Sequence, residues 1–154
     1  MKLTDNFTLE ELTASSLVRK GISNEPTEEI KQNLLKLAMK LEEVRTLLGH
    51  PMTISSGYRS PEINRIVGGS RNSAHMQGFA ADFICPGFGT PYEVCSAIAK
   101  SGITFDQIIH EFGSWIHLGI TDVNMRQDLL TICSAKQGYR RGIFTCLDLA
   151  QYKA

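Results

Sequence analysis

Four histidines, His50, His75, His110 and His117, are the imidazoles this chain can bring to chemistry, and three of them, all but His50, stand near carboxylates. His75 and Asp82 lie in Ser73-Ala-His-Met-Gln-Gly-Phe-Ala-Ala-Asp82, with six residues, Gly78 among them, between the two. Glu111 and His117 lie in Phe105-Asp-Gln-Ile-Ile-His-Glu-Phe-Gly-Ser-Trp-Ile-His-Leu-Gly119. Imidazole and carboxylate are metal ligands and also general acids and bases. A catalytic zinc site takes three such ligands and keeps a fourth position for water. The local helical signature His-Glu-x-x-His is absent, so three ligands would have to come from separate segments. The plainer reading of His75 and Asp82 is a hydrogen-bonded pair in the core.

His75 sits in a polar, glycine-containing loop before a strand that runs from Phe79 to Ile84 and bears Asp82. Side chains alternate along a strand, so Ala80 shares a face with Asp82 and leaves room beside it. A buried Asp needs a cation or hydrogen bonds. A third stretch, Ser56-Gly-Tyr-Arg-Ser60, sets Arg59 just before a helix start, where guanidinium and unbonded N–H groups can face an anion. The alternative for Arg59 is a surface salt bridge.

The two β-type runs around Phe112-Gly113-Ser114 read as a hairpin. With those three residues as the loop, Glu111 pairs with Trp115. Glu111, Trp115 and His117 then share a face, and His110 points the other way. With a two-residue Gly113-Ser114 turn, Glu111 and His117 fall on opposite faces. Local turn chemistry leaves both registers open.

The surrounding elements follow from caps and periodicity. Thr8 and Glu11 form a capping-box pattern for a short helix. A second helix begins at Pro26-Thr27, carries the apolar stripe Ile30, Leu34, Leu37, Leu41, Val44 and Leu48, and stops at Gly49. Ser60-Pro61 starts a short third helix that ends at Gly68-Gly69, and Thr90-Pro91 starts a fourth that runs to Lys100. Residues 52–55 and 79–84 read as strands, as do runs near 105–111, 115–120, 128–134 and 140–146. Helices early and strands late predict an α+β fold with a mainly antiparallel sheet packed against helices.

The length suits a single domain with its own core. Sixteen basic and sixteen acidic residues cancel, and nothing in that balance argues for nucleic acid or an anionic membrane surface; no nucleic-acid partner and no membrane insertion are expected. No apolar run is long enough to insert in a membrane. The N-terminus, MKLTDNFTLEELTAS, is not a secretory signal, so synthesis in the cytoplasm is expected. Cys85, Cys95, Cys133 and Cys146 form no Cys-x-x-Cys pair and, without a secretory context, read as buried thiols.

Together the three stretches resemble the zinc D-alanyl-D-alanine carboxypeptidase family, whose fold is shared with hedgehog signalling domains and phage L-alanyl-D-glutamate endolysins. The family pattern is Ser-x-His-x-x-Gly-x-Ala-x-Asp and a distant Trp-x-His, preceded by a Ser-Gly-Tyr-Arg-Ser-like stretch. It stands here as Ser73–Asp82, Trp115-Ile-His117 and Ser56–Ser60. The likeness spans residues 52–120, and the stretch FTLEELTAS more loosely resembles phage and prophage members.

The resemblance implies a hedgehog/DD-peptidase-like fold with one zinc ion (Zn2+) held by His75, Asp82 and His117. It makes Glu111 the catalytic carboxylate, Arg59 the grip on a substrate carboxylate, Ser73 a hydrogen-bonding partner of the peptide and Trp115 a wall of the site. Many members carry the acid three residues before the last histidine, where this chain has Ser114; Glu111 matches the hedgehog-like placement. The expectation is a single zinc peptidase domain over residues 1–154, with a helical part to residue 50, a catalytic core at 52–120 and C-terminal strands at 121–154. It would act as a monomer on peptidoglycan stem peptides, as a D-Ala-D-Ala carboxypeptidase or an L-Ala-D-Glu endopeptidase. It would reach the wall after holin-type release or as a virion component, or else serve the host in recycling muropeptides. The alternatives are a non-catalytic, zinc-containing wall-binding or virion module, and a structural domain without metal.

Overall fold

Side chains conspicuous in the sequence set where each helix begins. In the computed structural model, which describes residues 1–146, α1 spans Leu9–Thr13. The Thr8 hydroxyl accepts the Glu11 N–H, and the Glu11 carboxylate accepts the Thr8 N–H. Helix α2 spans Glu28–Leu48; Thr27 Oγ1 accepts the Ile30 N–H, and Gly49, at φ 68°, closes the far end. Helix α3, Pro61–Ile66, is capped by Ser60. Helix α4, Pro91–Lys100, opens with a second capping box, from Thr90 and Glu93. No helix among the described residues is long and apolar enough to cross a membrane.

By its contacts the chain divides into two compact units. The first, Met1–Glu43 with Ile54–Asp82, buries Phe7, Leu12, Leu34, Leu37, Leu41, Tyr58, Ile63 and Phe79. Leu34, Leu37 and Leu41 are the part of the expected α2 stripe that belongs to it; Ile30 is only half-buried. The second, Val44–Thr53 with Phe83 onward, buries Val94, Cys95 and Ile98 of α4 and Phe105, Ile108, Ile116 and Leu118. Burial pushes the Cys95 thiol up to about 12, so it stays a neutral packing group.

The fold is α+β. Six strands form one mostly antiparallel sheet, in the order β1-β2-β4-β3-β5-β6: β1 Thr53–Ser56, β2 Ala80–Ile84, β3 Gln107–Glu111, β4 Trp115–Gly119, β5 Asp128–Ile132 and β6 Tyr139–Arg141. Strands β3 and β4 make the expected hairpin, and β5 returns on the other side of β3, parallel to it. The return is tied by Arg126, whose guanidinium grips both oxygens of Asp106 at 3.0 and 2.9 Å and holds that carboxyl below its ordinary range.

Two expectations change near the C-terminus. The run at 140–146 is strand only as far as Arg141. Beyond it the Thr131 hydroxyl takes the place of a ladder partner, accepting the Phe144 N–H and donating to the Gly142 carbonyl. That bonding brings the chain back beside the end of β5, where Cys133 and Cys146, with Cα atoms 5.5 Å apart, form a disulfide. The reading of all four cysteines as thiols is therefore corrected for this pair; Cys85 and Cys95 are free and buried. Spacing could not reveal the pair, because the return depends on Thr131. The remainder of the expected C-terminal strands, 147–154, lies outside the described residues.

A disulfide across a 13-residue separation restricts the unfolded chain by about 3 kcal/mol. Full reduction should lower Tm by roughly 6–12 °C. Thermal denaturation with and without reductant checks this, and an unchanged Tm in fully reduced protein would show that the bond contributes nothing.

Candidate metal centre

His75 occupies a 3-10 turn, Ala74–Gln77, whose start and end are both fixed chemically. The Ser73 hydroxyl accepts the His75 N–H at 3.2 Å, and Gly78 closes the turn at φ 74°. A β-carbon at Gly78 would lie 3.1 Å from both Ile30 Cγ2 and the Ile30 carbonyl, so conformation and space both call for glycine. The Asn33 amide donates to the Gln77 carbonyl at 2.8 Å and pins the turn to α2.

The His75 ring is 2% exposed, and its Nδ1 lies 2.7 Å from the Gly57 carbonyl. A carbonyl can only accept, so Nδ1 carries the proton and, in the neutral ring, Nε2 presents a lone pair. Nε2 lies 3.2 Å from Asp82 Oδ1, on β2. A neutral imidazole nitrogen and a carboxylate oxygen facing each other are both acceptors, and either a bound cation or a proton on Nε2 resolves that opposition. Their separation is close to the roughly 3.3 Å between ligand atoms of a tetrahedral zinc with bonds near 2.05 Å. A metal-binding histidine commonly anchors its other ring N–H on a backbone carbonyl, as His75 does on Gly57. His75, Asp82 and His117 each offer one ligand atom, and these atoms all lie within 4.8 Å of one another. Two imidazoles and one carboxylate are a donor set suited to zinc.

His117 is on β4, and the hairpin takes the three-residue loop. Glu111 pairs with Trp115, and Ile109 with His117. Glu111, Trp115 and His117 therefore share a face, each half-buried, while His110 pairs with Ile116 and points into the packed side with Ile108 and Leu118. The turn reaches this register through an unusual conformation: Phe112 and Gly113 both have positive φ, 58° and 66°, and the Ser114 N–H closes on the Glu111 carbonyl. The Phe112 ring packs on Trp115, with centroids 5.4 Å apart.

The other two histidines lie elsewhere. His50 Nδ1 lies 2.9 Å from the Leu48 carbonyl. His110 Nδ1 lies 2.8 Å from the Phe144 carbonyl and lines a separate cleft of about 500 Å³ with Tyr92, Glu93 and Cys146. Burial lowers the His110 pKa, against the raising effect of its bond to Phe144.

Arg59 precedes α3, and its N–H donates to the His75 carbonyl at 3.1 Å. The peptide segment that carries Arg59 is thus the one on which His75 rests. Sequence reasoning missed Asn24, whose carboxamide donates to the Tyr58 carbonyl and accepts the Ser60 N–H on either side of Arg59. It also missed why position 57 is glycine: a β-carbon there would lie 2.3 Å from the Leu12 carbonyl oxygen.

Two comparisons with known proteins bear on this arrangement. The profile of the Peptidase M15 family matches residues 5–119, well over half of the chain. The zinc D-Ala-D-Ala carboxypeptidase of Streptomyces albus G is 43% identical over 53 residues, which are 34% of this chain and 21% of that protein. The chain thus spans about a fifth of the length of the curated relative it matches. With the extent of the profile match, the chain belongs to the Peptidase M15 family.

Proposed function

We propose that the protein is a zinc-dependent peptidase that hydrolyses a bond in peptidoglycan stem peptides, as a D-Ala-D-Ala carboxypeptidase or an L-Ala-D-Glu endopeptidase. The observation that carries this reading is the grouping of His75, Asp82 and His117 in a chain of a peptidase family. The name of the Streptomyces relative supports zinc and a substrate that ends in D-Ala-D-Ala, as peptidoglycan stem peptides can.

A zinc ion bound there supplies a water with pKa lowered toward about 7 and a Lewis acid for the scissile carbonyl. The chain's own residues do the rest. His75, Asp82 and His117 hold the ion, and the Gly57 carbonyl fixes the His75 tautomer. Glu111 takes a proton from the attacking water and passes one to the leaving amine. Arg59 pairs with a free carboxylate of the stem peptide, and Trp115 walls the site against bulk water. Ser73 accepts the His75 N–H through its oxygen, which leaves its O–H able to donate to the peptide. The setting is phage lysis or wall remodelling, supported by the likeness of residues 7–15 to phage and prophage members.

Zinc-loaded protein incubated with defined muropeptides should yield one cleavage product by mass spectrometry, either loss of a terminal D-Ala or scission after L-Ala. A chelator should abolish it and added zinc restore it. Stoichiometric zinc without any hydrolysis would reject the enzyme and favour a wall-binding module of the same fold.

A further inference from the structure

Asn24 is 5% exposed and lies in the loop between α1 and α2, with no place in the chemistry above. Its carboxamide makes three hydrogen bonds. Nδ2 donates to the Thr13 carbonyl at 2.8 Å and to the Tyr58 carbonyl at 2.9 Å, and Oδ1 accepts the Ser60 N–H at 2.7 Å. The two carbonyls can only accept and the N–H can only donate, so the orientation of the amide is fixed by its partners. No other side chain has this shape with two donors and an acceptor at one end, apart from the longer Gln.

The bonds to Tyr58 and Ser60 straddle Arg59 and fix the peptide planes on both sides of it. The same segment supports His75 twice, through Arg59 N–H to the His75 carbonyl at 3.1 Å and His75 Nδ1 to the Gly57 carbonyl at 2.7 Å. It is anchored in turn on the end of α1. Tyr58 N–H donates to the Leu12 carbonyl at 2.7 Å, and Asn24 takes the Thr13 carbonyl, so two carbonyls that a helix end leaves unbonded are used as the mount.

We propose that Asn24 is a positioning residue that sets Arg59 and His75 in one frame, so that the substrate carboxylate and the metal are held at a fixed offset. This rests on the roles given above to Arg59 and His75. It predicts that one amide far from both reacting groups in sequence controls carboxylate recognition and metal affinity together.

The test uses the full chain with Asn24→Ala, and with Asn24→Ser should the alanine variant not fold. Val94→Ala in α4 serves as a control for general destabilisation, since Val94 is buried in the second compact unit and this segment belongs to the first. Two quantities are read at a temperature where circular dichroism shows each protein folded. One is cobalt(II) affinity from a titration followed by its d–d absorption. The other is the ratio of kcat/KM for a peptide with a free C-terminal carboxylate to that for the same peptide amidated.

The Asn24 variants should weaken cobalt binding by about 10-fold, the low end for loss of outer-shell support. They should also cut the carboxylate preference by about 10-fold or more, chiefly through KM, as misplacement of a positioning group does. Val94→Ala should change neither. Folded Asn24 variants with both quantities within twofold of wild type would overturn the proposal. If the wild-type protein hydrolyses no peptide, the proposed function fails, and the cobalt titration alone decides for or against Asn24.

Discussion

Replacing Glu111 with glutamine is expected to lower kcat by about 10²- to 10⁴-fold, the range for loss of a positioned general base, while zinc content and KM change little. The argument is geometric. Glu111 is two residues along β3 from Ile109, which pairs with His117. It is therefore a diagonal neighbour of His117 on the same face, and such neighbours stand about 7–8 Å apart at Cα. That spacing puts the carboxylate within one water's reach of an ion held by the imidazole. Glutamine keeps the size and one carbonyl oxygen but cannot accept the proton. Steady-state kinetics with metal analysis of the same sample checks this. Retained turnover would move the base elsewhere, whereas loss of zinc would make Glu111 a ligand.

The register behind this prediction shows how far sequence reaches. The helices were legible because their starts are local chemistry: Thr8, Thr27, Ser60 and Thr90 each cap with their own side chain. The hairpin was legible as a hairpin and ambiguous in register. The turn puts a bulky Phe112 at φ 58°, a choice that no local preference suggests. What selects it comes from elsewhere: the Phe112 N–H donates to the Ile132 carbonyl at the end of β5, and its ring packs on Trp115. The Cys133–Cys146 bond was hidden for the same reason, since it depends on the Thr131 hydroxyl bonding to residues 142 and 144. His75 and Asp82, by contrast, could be paired on paper, because a turn closed by Gly78 and a strand with small Ala80 need only a few adjacent residues. Their pairing with His117 was implied by family resemblance and not by spacing.

Replacing His117 with alanine is expected to weaken zinc binding by more than about 100-fold, beyond the upper range for losing an outer-shell partner, and to remove turnover with it. Of the three proposed ligands, His117 is the informative one to remove. His75 is buried, and its loss would also strand the Gly57 carbonyl at a cost of about 1–3 kcal/mol, mixing a folding defect with a binding one. His117 is half-buried on a strand whose other face carries Ile116 and Leu118, so the alanine variant keeps that core. Folding provides a second readout that needs no substrate. An ion that binds only the folded chain stabilises it by about 4 kcal/mol at 1,000 times its Kd. Wild-type Tm should therefore climb with added zinc, and the variant's should stay flat over the same range. His50→Ala and His110→Ala should keep the zinc-dependent rise, because His50 and His110 direct Nδ1 at the Leu48 and Phe144 carbonyls outside the cluster. A His117→Ala protein whose Tm responds to zinc as the wild type does would remove β4 from the centre and leave His75 and Asp82 as a buried hydrogen-bonded pair.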